Sequence, residues 1–168
     1  MKSPEPEDAV TCLDIEIAVA DYFNPRQNLI VPNVFWGLGF KHELDVAVMT
    51  PSRYLTEIEI KTTASDLRRD SKKIHGHASQ RIRRHFFAVP ESLQELAREL
   101  APPEWGILSY SGYVLNQIKT AKSVAARPLD DDEVRKLYEL AAMRIWTLKH
   151  TLATRIKRDR IRLSRGGY

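Results

Sequence analysis

A chain of 168 residues with 43% hydrophobic and 29% charged residues has the composition of a globular protein of one-domain length. No apolar run is long enough to cross a bilayer, the start MKSPEPEDA lacks the basic-then-apolar form of a signal peptide, and the single cysteine, Cys12, excludes an internal disulfide framework or a thiolate zinc cluster. The net charge of +4 decides little, but its distribution is informative: acids concentrate up to Asp70 and again at 130–133, while bases gather at 68–84 and in the tail, which suits a polyanion held beside an acidic site.

Residues 1–6 are rich in Pro and Glu and read as a frayed end. Residues 7–23 have the spacing of a helix whose core arc is Ala9, Val10, Leu13, Ile17 and Ala20. Glu16 and Asp21 border that arc. A carboxylate at the edge of a buried face reaches inward only with a partner, because a lone buried charge is prohibitive. A salt bridge to Lys61 or an arginine is one such partner and a metal or its water is another; Glu16 is preferred over Asp21 for its longer reach.

A short apolar strand at 29–36 is closed by Gly37 and Gly39. The stretch 42–61, HELDVAVMTPSRYLTEIEIK, then alternates twice around a turn at Thr50, Pro51 and Ser52. Side chains alternate along a strand, so Leu44, Val46 and Val48 share one face and Glu43, Asp45 and Ala47 the other. Beyond the turn, Ile58 and Ile60 oppose Glu57, Glu59 and Lys61. Like charges on neighbouring strands destabilise a sheet, so this acidic ladder calls for a compensating cation.

Thr63 with Asp66 reads as a capping box for a helix through about residue 74, stopped by Gly76. Asp66, Asp70 and Lys73 share one side of it. His75 and His77 lack the i, i+4 spacing of a helical zinc pair and suit phosphate or solvent better. HFFAV at 85–89 is an apolar strand, 91–100 an amphipathic helix, and 106–110 with 113–118 a second hairpin across Ser111 and Gly112. After a loop at 119–129, Asp130 with Glu133 caps a long helix. Its stripe Val134, Leu137, Tyr138, Ala141, Ile145, Leu148 and Leu152 is core or the seam of a two-fold homodimer, with Trp146 off the stripe against a second neighbour. The order describes a mixed α/β layer fold.

Asp45, Glu59 and Lys61 carry the chemistry. Hard oxygen ligands without thiolates select Mg2+ or Mn2+. Asp45 and Glu59 come from adjacent strands, the Ile60 carbonyl lies between Glu59 and Lys61, and Glu16 arrives from the first helix. A metal there offsets carboxylate repulsion and activates water, with Lys61 holding or deprotonating that water. Phosphodiester hydrolysis follows as the expected reaction. Arg68, Arg69, Lys72, Lys73, His75, His77 and Arg81 are the expected nucleic-acid contacts.

An acid on a first helix, then Asp45, then Glu59-Ile60-Lys61 in an αβββαβ order resembles the PD-(D/E)XK nuclease superfamily. The likeness covers a core of about 7–89, with hairpin and helix as an extension at about 90–168 of one domain. The runs EIEIKTTASDLRRDSKK, HFFAVP and EWGILSYSGYV resemble the MmcB-like DNA-repair branch and related phage-encoded endonucleases. The resemblance implies a restriction-endonuclease-like fold, Mg2+- or Mn2+-dependent cleavage of DNA in repair or recombination, and a cytoplasmic place in a bacterial or phage-infected cell. By position it makes Asp45 the metal aspartate, Glu59 the second acid and Lys61 the lysine. Leu44 stands where the superfamily name records a proline.

Two rival readings use the same residues. One is a catalytically inactive DNA-binding protein on this fold. The other is a structural or assembly protein whose acids are salt-bridged to Arg53, Arg68 or Arg69. RNA is less favoured than DNA, since no aromatic stacking platform is visible.

Overall fold

The central strands are built by the alternating stretch itself. In the structure, a computed structural model describing residues 10–35, 37–71 and 79–165, β2 (Leu44–Met49) and β3 (Leu55–Ile60) pair antiparallel with Val46 opposite Ile58 and Met49 opposite Leu55. Their turn closes through Arg53 N–H donating to the Thr50 carbonyl at 2.8 Å. They sit inside a six-stranded mixed sheet of order β1-β2-β3-β4-β5-β6. β1 (Leu29–Val34) pairs antiparallel with β2; β4 (Ile82–Pro90) and β5 (Gly106–Tyr110) run parallel to β3; β6 (Leu115–Lys119) returns antiparallel. Mixed α/β is thus the observed class, in the order α-β-β-β-α-β followed by α-β-β-α.

Helix α1 (Cys12–Phe23) covers one face. Thr11 and Asp14 form its capping box, Thr11 N–H donating to Asp14 at 2.8 Å and Asp14 N–H to the Thr11 hydroxyl at 3.2 Å. Ile15, Ala18 and Val19 pack on Val46, Val48, Ile58, Phe86, Ala88 and Leu108. This corrects the predicted arc: Leu13 and Ile17 are exposed, and Ile15 lies about 200° around the helix from Ile17. The sequence carries two apolar stripes here, and the sheet selects the one that reaches Phe86.

The opposite face is covered in two patches. Helix α4 (Asp131–Arg165) lays Leu137 and Leu140 over Val31, Ala47, Met49, Leu55 and Ile82. Helices α2 (Ala64–Ser71) and α3 (Gln94–Leu100) bring Leu67 and Ala97 onto Phe87, Val89, Trp105 and Ile107. Leu44 departs from the expected alternation and joins the α4 patch. It pairs with Val34, which follows Asn33 at φ +53°, and that left-handed residue resets which side of β1 faces α4.

The caps follow the sequence with small offsets. Asp66 N–H donates to Thr63 at 3.2 Å, opening α2; the Asp70 and Lys73 side chains, Gly76 and residues 1–9 lie outside what the structure describes. Asp130 and Glu133 cap α4 reciprocally at 2.9 and 3.0 Å. The second hairpin turns on Gly112 and Tyr113 rather than Ser111 and Gly112, because Ser111 N–H donates to the Val114 carbonyl and Gly112, at φ +98°, supplies the positive φ at the first turn position.

Only the first half of α4 touches the sheet. Arg144 donates to the Pro32 and Asn33 carbonyls of β1, and past it Ile145, Trp146, Leu148 and Leu152 are exposed. Trp146 is thus outside the core clusters of the described residues, and the Lys149 ammonium lies 5.1 Å from its ring centre. No described helix is long and apolar enough to cross a membrane.

Candidate metal centre

Strand β3 is buried along its whole length, acids included. Ile58 and Ile60 fill the α1 side, so Glu57 and Glu59 face the seam between the two patches on the other side. Lys61 N–H continues the parallel ladder by donating to the Ala88 carbonyl at 3.0 Å, which sets the lysine just past the strand end. Its ammonium donates to Glu59 Oε2 at 2.9 Å.

Asp45 reaches the same place from β2. Its Oδ2 accepts the Ile60 N–H at 2.8 Å. Burial raises the Glu59 carboxyl most, the Asp45 charge raises it further, and Lys61 draws it part of the way back, leaving it at about 9. Glu16, half-buried on α1, is likewise raised by burial and then by Asp45, with Arg144 pulling the other way. Asp45, Glu59 and Lys61 are thus in one electrostatic group with Glu16, while Asp21 is exposed. Burial and the Asp45 charge raise both Glu59 and Glu16, and a set of acids offering only oxygen donors fits a hard divalent cation, which would favour their carboxylate forms.

Three residues belong to this region that the sequence reading did not select. His42 Nε2 lies 2.5 Å from Glu57 Oε1 and 3.8 Å from Glu59 Oε1. His85 Nε2 lies 3.3 Å from Glu57 Oε2, its ring stacked on Trp105 at 5.0 Å. Among the described residues, the trio of potential ligands with all atoms within 4.8 Å of one another is His42, Glu57 and Glu59. Glu57 was visible as a same-face neighbour of Glu59. His85 needed the β3–β4 register, in which it stands opposite Glu57. His42 precedes β2 and carries no periodic signal.

The expected nucleic-acid contacts are divided. Arg68 and Arg69 are exposed on α2, Arg69 paired with Asp66. Arg81 is engaged by Glu133, which also takes two hydrogen bonds from Arg127 at 2.7 Å, so its charge helps fasten the start of α4. Those bonds hold the Glu133 carboxyl down at about 2, Arg127 contributing most. Lys72, Lys73, His75 and His77 lie outside the described residues. Arg53 pairs with Asp131 at 2.6 Å, away from the acidic group.

No protein-family model and no curated protein matches the chain. Among solved structures it is similar to the SPO1766 protein of unknown function from Silicibacter pomeroyi, at a TM-score of 0.58 and 23% identity over 81% of this chain and 86% of that one. The likeness is one of fold.

Proposed function

We propose that this protein is a Mg2+- or Mn2+-dependent nuclease that hydrolyses phosphodiester bonds in DNA, in repair or recombination. The observation that carries the reading is the meeting of Asp45, Glu59 and Lys61 at one end of the central hairpin, with Lys61 Nζ held on Glu59 Oε2 at 2.9 Å. The α-β-β-β-α-β order around that hairpin supports it as well.

Asp45, Glu59 and the Ile60 carbonyl would hold the ion, with Glu16 adding a ligand directly or through water. Bound there, the ion would lower the pKa of water and stabilise charge on the scissile phosphate. Lys61 Nζ, anchored on Glu59 Oε2, would orient the attacking water and, as the neutral amine, would accept its proton. Phosphate contacts would come from Arg68 and Arg69 and from the outer half of α4, where Lys149, Arg155, Lys157, Arg158, Arg160 and Arg162 face a single acid, Asp159. That surplus also suits DNA binding without cleavage. Against the assembly reading, Arg53 and Arg69 are already paired with Asp131 and Asp66.

The test is cleavage of duplex, single-stranded and branched DNA with Mg2+ or Mn2+, comparing wild type with Lys61→Ala and Asp45→Ala. Cutting by the wild type alone is expected. Equal cutting by all three rejects the assignment, and binding without cutting in either metal favours the non-catalytic reading.

A further inference from the structure

Of the trio His42, Glu57 and Glu59 the nuclease reading uses only Glu59, and one of the trio's atoms is unusual. Glu59 Oε1 is buried, accepts no hydrogen bond, and faces His42 Nε2 at 3.8 Å, while the other oxygen of the same carboxylate is taken by Lys61. A buried carboxylate oxygen without a donor is costly. An ion at the centre of the trio would give that oxygen a partner.

We propose that His42, Glu57 and Glu59 form a second cation site, beside the Asp45 carboxylate and sharing Glu59 with the site there, that takes a borderline divalent metal such as Zn2+ or Co2+ in preference to Mg2+. The donor set decides the preference: an imidazole nitrogen among carboxylates suits zinc-like ions, whereas Mg2+ favours oxygen. Access comes from the His42 side, where the ring is 27% exposed and Glu57 is wholly buried. His85 stands behind Glu57, in the outer position that orients a ligating carboxylate, and is itself stacked on Trp105.

Loading requires a small rearrangement. Ligand atoms around a tetrahedral zinc with bonds of about 2.0–2.2 Å are roughly 3.3 Å apart, wider than the 2.5 Å between His42 Nε2 and Glu57 Oε1. The ion therefore replaces the proton shared by that pair and the proton on the buried Glu59 carboxyl, both protons leave to solvent, and the partly exposed imidazole turns its Nε2 lone pair to the metal. The inference does not depend on the nuclease reading.

The metal-stripped full chain is titrated with Co2+, followed by its d–d absorption and by 15N NMR of the histidine rings, and with Zn2+ in competition. One Co2+ per chain, nitrogen-ligated, displaced by Zn2+ and broadening the His42 ring signals, is expected. His42→Ala should weaken binding by about 100-fold or more, and His85→Ala by about 10–100-fold, the cost typical of losing an outer-shell partner. Asp45→Asn should bind Co2+ as the wild type does while losing Mg2+-dependent cleavage, which separates this site from the nuclease reading. Undiminished binding by His42→Ala, or a wild type whose His42 ring resonances are untouched by Co2+, overturns the proposal; the ring signals decide it even where a variant fails to fold.

Discussion

The Asp45 carboxylate takes the backbone N–H of Ile60 at 2.8 Å, standing in for a strand partner just beyond the β2–β3 ladder, whose last pair on that side is Val46 with Ile58. Asp45 is thus both a charge among acids and an acceptor that holds the end of β3, and the two roles respond differently to mutation.

Asp45→Asn keeps an acceptor for Ile60 and removes one charge next to Glu59 and Glu16. In metal-free buffer it should raise the melting temperature by about 2–4 °C, corresponding to about 1 kcal/mol at this chain length. Asp45→Ala abandons the Ile60 N–H and should lower stability by about 1–3 kcal/mol. Calorimetry in a chelator checks both. Equal losses in the two variants would mean that the charge itself is held by a structural cation.

Glu59 makes the metal-free protein pH-sensitive. Its carboxyl is raised to about 9 by burial first and then by Asp45, from an ordinary 4.5 in the unfolded chain. Between those values the folded state binds more protons than the unfolded one, so stability is full below about 4.5 and declines as pH rises toward 9. Urea melts at pH 5, 7 and 9 should show that decline, saturating Mn2+ should reverse it, and Glu59→Gln should flatten it.

Glu133 gives the opposite slope at the acid end. Held down at about 2 by Arg127 chiefly and also by Arg81, it stabilises the fold above about 4.5 and loses that contribution as pH falls through 2. Glu133→Gln should cost about 1.5–3 kcal/mol at pH 7, the range for hydrogen bonds to charged groups, and should flatten the acid limb. An unchanged acid limb would show that Arg81 and Arg127 do not fasten α4.

Lys61→Ala should reduce Mg2+-dependent cleavage about 100-fold or more, the usual worth of a positioned proton-transfer group, with DNA binding little altered. A comparable fall in binding would instead place Lys61 among the phosphate contacts.

Helix α4 should behave as two halves. Leu137→Ala removes a side chain that is 1% exposed and should cost about 2–5 kcal/mol. Leu152→Ala touches one that is 55% exposed and should cost about 0.5 kcal/mol or less. A large loss at Leu152 that grows with protein concentration would reveal the two-fold seam.

The strands were the most legible elements, because period-two alternation at Val46, Val48, Ile58 and Ile60 has one interpretation once a turn lies between the runs. The caps at Thr11, Thr63 and Asp130 are local chemistry, although only the last two were anticipated. Helix faces were less legible: α1 offers two stripes, and the long stripe of α4 continues past the point where the sheet ends. Asp45, Glu59 and Lys61 could be grouped from parity and strand adjacency. His42 and His85 could not, since one precedes its strand and the other meets Glu57 through a parallel pairing formed by a crossover.

Arg144 has an effect at the margin of the sheet. β1 is an outermost strand, and there Pro32 has no N–H to offer while the Pro32 and Asn33 carbonyls are occupied by the guanidinium. A row of vacant amides and carbonyls invites a stray strand from another molecule. Here a proline and an arginine spoil that template at adjacent positions, so a seventh strand finds no run of partners along this margin and self-association by strand addition is discouraged.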